Sequence, residues 1–479
     1  GDDENSQSTP LQLKTTTSSP AKGEIGTKIT IIGENFTDQA KVYLKNAKAT
    51  ITSVTATQLQ VIAPANEAGE CIIEVMVGAQ KTENLRFTYV DYTPVVSSIS
   101  PSSGTENTEI TIIGENFSTT PEENIVKIGD AIATVKYATE TELKIIAPQN
   151  EIGTYAVTVS VGVKTGKNPA LFTYEDTRER IYECTQNFIT VPSDINTQDL
   201  KSVTFLKDGR LAYSTNGGSA TEAWAIDLRT MEREKIVPNG TGTVLLKITT
   251  NPTNGKLYLA YKGEDKISVW DPNTKQVSDL LTRNGLDNLM DVKFDQYNNM
   301  YAVCRNSGTI QKYPSGNYNS SSRLEFVKIT GRQIQAIAFD AAGNLIAAAT
   351  DGSNAGYIYK VDSSGAYTLI AGGGNKVITE DITEDPKTAK LEKAEGLMVD
   401  KDGYIWFSDG NSGTRKTKIL KPGKNGYQDA TIILVCKAEN GWKDSGTTSP
   451  VDFVQDTDGT IYIADGPNKA IHKVTIGYK

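Results

Sequence analysis

One histidine, His472, serves the whole chain of 479 residues. A Ser-His-Asp or Cys-His relay needs an imidazole to carry the proton, so any such chemistry would run through that ring, and a His-rich zinc site is excluded. The four cysteines, Cys71, Cys184, Cys304 and Cys436, lie far apart with no Cys-x-x-Cys, which indicates neither a disulfide framework nor a zinc knuckle. Carboxylates, cations and aromatic rings remain. Trp442 lies among polar residues in Glu439-Asn-Gly-Trp-Lys-Asp-Ser-Gly446, where a flat ring suits stacking on the apolar face of a sugar. Tyr261, Asn411, Arg415, Arg305 and Asp409 are the accompanying candidates for contacts to ligand hydroxyls. Asp291, Glu395 and Asp452 are weak candidates for a Ca²⁺ site, with Lys201 and Lys247 in similar slots as alternative partners for the carboxylates. No other cofactor and no catalytic residue is expected. The acidic run Glu380–Asp385 reads as a solvated loop.

The elements that must hold these residues are strands. Val, Ile, Thr and Tyr are abundant, glycine reaches 41 residues, and turn pairs recur between short alternating apolar runs. One short helix is expected around Lys387–Glu395, with Asp385 as N-cap, Pro386 as first residue and Gly396 as stop. The balance of 49 basic and 58 acidic residues, net −9, argues against nucleic acid as a partner. The longest apolar run, Ile432–Cys436, falls far short of the roughly 20 residues that span a bilayer.

Two copies of one domain open the chain. Ile29-Thr-Ile-Ile-Gly-Glu-Asn-Phe36 recurs letter for letter at Ile110–Phe117; Ile62-Ala-Pro-Ala-Asn-Glu-Ala-Gly69 returns at Ile146–Gly153, and Phe87-Thr-Tyr at Phe172. Val157, Val159 and Val161 alternate with Thr158 and Ser160 as in a half-buried strand, and Gly114 is expected to take a positive φ in a turn or bulge. Pro101-Ser-Ser-Gly104 with Gly114-Glu-Asn-Phe117, and Pro20-Ala-Lys-Gly23 with Gly33-Glu-Asn-Phe36, resemble the IPT/TIG family of immunoglobulin-like β-sandwiches. The expected domains are 11–92 and 93–177, after a polar tail at 1–10, and the short Pro-containing junction Tyr89–Pro94 reads as a semi-rigid arm.

A second repeat fills 178–479. Gly396-Leu-Met-Val-Asp-Lys-Asp-Gly-Tyr-Ile-Trp-Phe-Ser-Asp409 and Asp452-Phe-Val-Gln-Asp-Thr-Asp-Gly-Thr-Ile-Tyr-Ile-Ala-Asp465 are its best copies. Aligned on the turn residues Gly209, Gly255, Asn298, Gly343, Gly403 and Gly459, six copies are spaced by 46, 43, 45, 60 and 56 residues. Units this small cannot bury their own cores, so they must stack radially. The pattern resembles the NHL-repeat family, which implies a six-bladed β-propeller. Arg180–Val191 is expected to supply the outer strand of the last blade and close the ring.

In four-stranded blades the loops between second and third strands share one face with the blade-to-blade crossovers. The long crossovers Gly372–Ala394 and Lys437–Pro450 therefore emerge on that face, where the site is expected. Trp406 fills the slot taken by Tyr258, Tyr301 and Tyr462 and reads as packing, as do Trp224 and Trp270 in third strands. Asp409 and Asp465 end second strands, where a carboxylate suits backbone N–H groups. His472 reads as a surface residue.

The lead Gly1-Asp-Asp-Glu-Asn looks like that of a mature bacterial outer-membrane lipoprotein, with Gly1 where the lipidated cysteine would stand. IPT/TIG domains before an NHL propeller resemble the surface proteins of Sus-type polysaccharide utilisation systems. That resemblance implies a non-catalytic cell-surface nutrient-binding protein for a polysaccharide or oligosaccharide, monomeric, touching the membrane only through its anchor, with transporter subunits of a Sus-type complex as neighbours. The alternatives are an adhesion or protein-interaction scaffold and a Ca²⁺-dependent propeller lactonase or lyase.

Overall fold

The computed structural model describes residues 11–176, 178–191, 199–217, 220–238, 244–410, 415–437 and 449–479. Among them strand dominates, and helix is confined to single 3₁₀ turns. The chain divides into two compact units, Gly1–Thr93 and Pro94–Lys479.

In the first unit a sheet of Lys14–Ser19, Lys28–Glu34, Gln58–Ile62 and Thr50–Val54 packs on a second sheet whose long strands are Gln80–Tyr89, Gly69–Val77 and Lys41–Leu44. Alternation puts Ile29, Ile31, Leu59 and Val61 against Val42, Ile73, Val75 and Phe87. The second unit opens with the same topology, its core built from Ile110, Ile112, Leu143, Ile145, Val157, Val159 and Phe172. The repeated glycine serves a close approach instead of a positive φ. A Cβ on Gly114 would lie 1.9 Å from the Val95 carbonyl oxygen, and one on Gly33 2.1 Å from that of Lys14. The left-handed backbone falls two residues later, on Asn35 (φ 67°) and Asn116 (φ 63°).

Six sheets follow, with inner strands Asp199–Phe205, Val244–Thr250, Leu289–Phe294, Gln333–Phe339, Leu397–Val399 and Pro450–Gln455; five are four-stranded and antiparallel, and the fourth is widened to six strands by Lys376–Val377 and Ala389–Glu392, which pair in parallel. Each inner strand packs beside the next, and the sixth beside the first, so the sheets form a propeller. Side chains stitch neighbouring inner strands. Asp452 Oδ2 accepts from Val203 N (3.0 Å), Ser202 Oγ from Ile248 N (3.1 Å) and Asp291 Oδ2 from Ile337 N (3.1 Å), while Thr249 Oγ1 donates to Val292 O (2.7 Å).

The turn that defines the repeat has a local cause. Asp295, Asp340, Asp400 and Asp456 each accept backbone N–H bonds from the residues two and four positions on. The residue between is left-handed: φ is 66° at Asn298, 83° at Gly343, 84° at Gly403 and 94° at Gly459. Trp406 lies fully buried in the fifth blade, its Nε1 donating to Asp400 Oδ2 (2.9 Å) as the Tyr301 hydroxyl donates to Asp295 (2.9 Å).

Arg180–Thr190 pairs antiparallel with Ala470–Tyr478, which makes it the outer strand of the last blade. The expected helix does not form. Asp385 does cap Lys387 N (2.9 Å), but the 3₁₀ turn ends at Thr388, and Ala389–Glu392 continues as a strand. Its buried Ala389 and Leu391 and its pairing with Ala355–Gly356 of the fourth blade outweigh local helix preference.

The second sandwich docks on the propeller face opposite the crossovers, against turns between first and second and between third and fourth strands. Thr154 Oγ1 donates to Asp402 O (2.9 Å), Ser363 Oγ to Asn168 Oδ1 (2.5 Å), and Ser102 Oγ to Lys424 O. Arg180 is buried at the joint, 3.0 Å from Asp400 and 2.6 Å from Asp402, with its guanidinium carbon 3.6 Å from the centre of the Tyr404 ring. A cleft of about 700 Å³ remains there, lined by Asp176, Arg178, Tyr182, Lys421 and Tyr478 among others.

Candidate functional site

On the crossover face the inner strands start at the mouth of the central channel. Bulges interrupt their pairing at Lys201, Met290, Gln335 and Val451, the residues skipped between paired neighbours. Lys201 and Val451 line a cavity of about 120 Å³ together with Asp199, Lys247, Glu395 and Arg415.

Glu395 is the negative centre of this mouth. Its Oε1 lies 3.1 Å from Lys393 Nζ and 3.4 Å from Arg415 Nη2. Burial pushes its carboxyl up, but Lys393, Arg415 and Lys247 outweigh burial and hold it below the ordinary value, so it stays ionised. Arg415 is buried and also donates from Nη1 to Ser449 Oγ (2.7 Å), tying the start of a third strand to the crossover before the sixth blade. Lys247 Nζ donates to the carbonyls of Glu395 (3.1 Å) and Val451 (2.8 Å) and lies 3.8 Å from Asp452.

Asp291, Glu395 and Asp452 do not converge. Asp452 accepts from Ser202 Oγ (2.6 Å), Val203 N and Phe453 N, and Asp291 from Val292 N and from Lys293 Nζ (2.7 Å). Among the described residues no three His, Cys, Asp or Glu side chains are grouped as metal ligands. The two aspartates act as stitches between blades, and Glu395 as the counter-ion of the mouth.

Asp409 is buried. Its Oδ1 accepts from Glu392 N (2.6 Å) and its Oδ2 pairs with Lys418 Nζ, so it fastens the crossover from the fourth blade. Asp465 does the same one blade on, accepting from Ser449 N (3.0 Å). His472, expected at the surface, is 3% exposed. Its Nδ1 accepts from Asn187 N (2.9 Å), which leaves Nε2–H to donate to Asp465 Oδ2 (2.9 Å). The alternation along the last strand is real, but both faces of that strand are covered, one by the fifth blade and one by the first, and the closing strand pairs along its edge.

Tyr261 is 7% exposed and packs with Leu245, Leu259 and Trp270. Burial, reinforced by Glu264 and Asp279, pushes its hydroxyl up to about 12. Arg305 is half-buried beside the tight turn it makes with Gly308. Trp442 and Asn411 lie outside the described residues. Two cations went unnoticed in the sequence, Lys262 and Lys393. Lys262 stands seven residues after Gly255, as Arg305 does after Asn298, and that equal register was the available signal. Burial, then the charges of Arg305, Lys393 and Lys201, hold the Lys262 ammonium below its ordinary value.

The IPT/TIG domain model matches residues 13–89 and 94–174. Both sandwiches are IPT/TIG domains. The chain also aligns with mouse fibrocystin-L, 26% identical over 175 residues, a stretch that is 36% of this chain and 4% of the length of the mouse protein. The chain is similar to an auxiliary nutrient binding protein from Bacteroides thetaiotaomicron VPI-5482, at 15% identity and a TM-score of 0.45, over 81% of this chain and 99% of that one. A counterpart from Bacteroides ovatus ATCC 8483 has 16% identity and a TM-score of 0.44 over 80% and 98%. Virginiamycin B lyase from Staphylococcus aureus has 13% identity and a TM-score of 0.40 over 61% and 99%. Among the described residues no helix is long and apolar enough to cross a membrane.

Proposed function

We propose that this chain is a non-catalytic cell-surface nutrient receptor whose propeller binds a glycan at the channel mouth. The observation that carries the reading is the opposition of two faces. The second IPT/TIG domain occupies the face of the first turns, through Arg180, Asp400 and Asp402, while the crossovers and the cavity beside Lys201, Lys247 and Arg415 lie on the other. A mouth turned away from its support suits capture of a large external ligand. Buried stitches such as Asp409 and Asp465 support the reading as well, since they pin the crossovers to a rigid scaffold. Trp442, on the crossover before the sixth blade, is the stacking platform the sequence offers.

A polysaccharide panel, run with and without EDTA on the wild-type chain and on Trp442→Ala, tests this. Retention without turnover, weakened by Trp442→Ala with unchanged melting, is expected. If no polysaccharide is retained, the receptor reading fails in favour of a protein-interaction scaffold. Product formation abolished by EDTA would make the propeller an enzyme.

A further inference from the structure

The mouth has an uneven charge balance. The chain carries a net −9, yet Lys201, Lys247, Lys393 and Arg415 gather here around Glu395, with Asp199 at the cavity wall, and Lys262 and Arg305 stand on the same face, at the ends of the second strands Leu257–Lys262 and Met300–Cys304. These cations fall into two sets. Lys247, Lys393 and Arg415 are engaged with Glu395 and with backbone carbonyls. Lys201, Lys262 and Arg305 make no side-chain hydrogen bond to a carboxylate and no ion pair among the described residues, although the Arg305 Nε is buried. Gln335 adds a neutral group. It occupies in the fourth blade the bulge position that Lys201 has in the first, is 1% exposed, and has neither amide atom hydrogen-bonded among the described residues. Keeping like charges together in a half-buried mouth is unfavourable unless an anion repays it.

From this arrangement we infer that the ligand bears an acid group, a carboxylate or a sulfate on a sugar, held by Lys201, Lys262 and Arg305. The inference rests on the receptor reading and narrows its ligand class. The cavity of about 120 Å³ has Lys201 in its wall but also Asp199 and Glu395, and Lys262 and Arg305 lie outside it, so the acid group is held at the rim and the saccharide lies across the mouth.

The probes are polygalacturonate and its carboxyl-reduced counterpart, and dextran sulfate and dextran, with the wild-type chain and Lys262→Gln/Arg305→Gln. Retention of one acidic polymer, loss of its neutral counterpart, weakening as salt rises and at least tenfold weaker binding by the double variant are expected; which polymer is retained separates uronate from sulfate. Equal binding of acidic and neutral polymers, unchanged in the variant, overturns the acid-group inference and leaves the receptor reading standing. No retention of any polymer overturns both.

A separate observation concerns two thiols. Cys184, in the closing strand, and Cys436, just after the outer strand of the fifth blade, are 252 residues apart in sequence, and their sulfurs lie 3.3 Å apart. Both belong to the core between the fifth and sixth blades, and Cys436 takes a left-handed backbone (φ 61°), rare for a residue with a side chain. A disulfide needs the sulfurs at about 2.05 Å, a little over 1 Å closer.

The geometry points to a Cys184–Cys436 cross-link that joins the closing strand to the fifth blade. Forming it removes one hydrogen from each thiol as two protons and two electrons, which reduce the disulfide of a small or protein oxidant to two thiols. The folded chain, equilibrated with glutathione disulfide, then denatured and alkylated, is read by intact mass and peptide mapping. Two alkylated cysteines, Cys71 and Cys304, with one linked peptide holding Cys184 and Cys436, are expected, and Cys184→Ser should leave Cys436 unlinked. Four alkylated cysteines, or glutathione carried on Cys184 or Cys436 without a link between them, would overturn it.

Discussion

Replacing Arg180 with Met removes the cation at the joint while keeping most of the side-chain volume. In the native joint the Arg180 side chain is 8% exposed, Asp400 0% and Asp402 14%. Burial works against the guanidinium, but Asp400 and the Tyr182 hydroxyl hold its pKa above the ordinary value. Breaking a buried pair by deleting one partner costs about 3–5 kcal/mol, because a charge is left without compensation. Asp400 would retain Trp406 Nε1 and the N–H groups of Asp402 and Tyr404, all neutral donors, which places the loss near the lower end, about 3 kcal/mol. Trp224, Trp270, Trp406 and Trp442 all lie within the propeller repeats, so tryptophan emission during urea unfolding of the full chain follows the propeller without the sandwiches. For a domain of this size m is about 3 kcal/mol/M, and the midpoint should fall by roughly 1 M. Arg180→Lys keeps the charge but loses the fork that reaches both aspartates, and should fall between. A midpoint for Arg180→Met within about 0.3 M of wild type, on the same m, would refute the reasoning, since the joint would then gain nothing from its buried cation.

Deleting 178–192 should lower the propeller's melting temperature sharply, because Ala470–Tyr478 would lose its antiparallel partner; calorimetry with an unchanged transition would contradict ring closure by that strand. Trp406→Ala should cost about 3–5 kcal/mol by the cavity it leaves, read by the same urea midpoint. Asp456 is pushed up to about 6, first by burial and then by Asp458, against an ordinary value of 3.8. Its folded form therefore holds a proton that the unfolded chain releases, and its contribution to stability is lost as pH rises from about 4 through 6. Asp456→Asn should accordingly be more stable than wild type at pH 8 and lose that advantage at pH 4, in paired urea titrations.

Strand positions were readable because two periods coincide in this chain, the alternation of buried residues and the recurrence of the turn. Asn298 could be aligned with Gly343 and Gly403 since the turn demands a left-handed residue and asparagine tolerates one. Long-range partners were not readable. Ala389–Glu392 follows a good N-cap and has helix-forming residues, and only its pairing with a strand more than 30 residues earlier makes it extended. His472 alternates as a surface residue would, but the strand covering it lies almost 300 residues upstream. A separation of 252 residues likewise hides Cys184 from Cys436. At the site, single loop residues were visible as polar interruptions, while their division into stitches, such as Asp409, and uncommitted cations, such as Lys262, depends on neighbours from other blades.

The closing strand also decides how the molecule bears load. Arg180 stands at the docked sandwich, and the strand runs from there toward the channel mouth, bonded along Ala470–Tyr478 from Arg180 to Thr190. A pull between the sandwich and the crossover face therefore acts along the strand axis. Its hydrogen bonds are strained in shear, all together, and cannot be peeled one at a time. Resistance to such a pull is set by the unfolding rate and not by equilibrium stability. The propeller is thus fastened to the second sandwich by the seam that makes it a closed ring, so a pull between the two has to break the ring before it can part them.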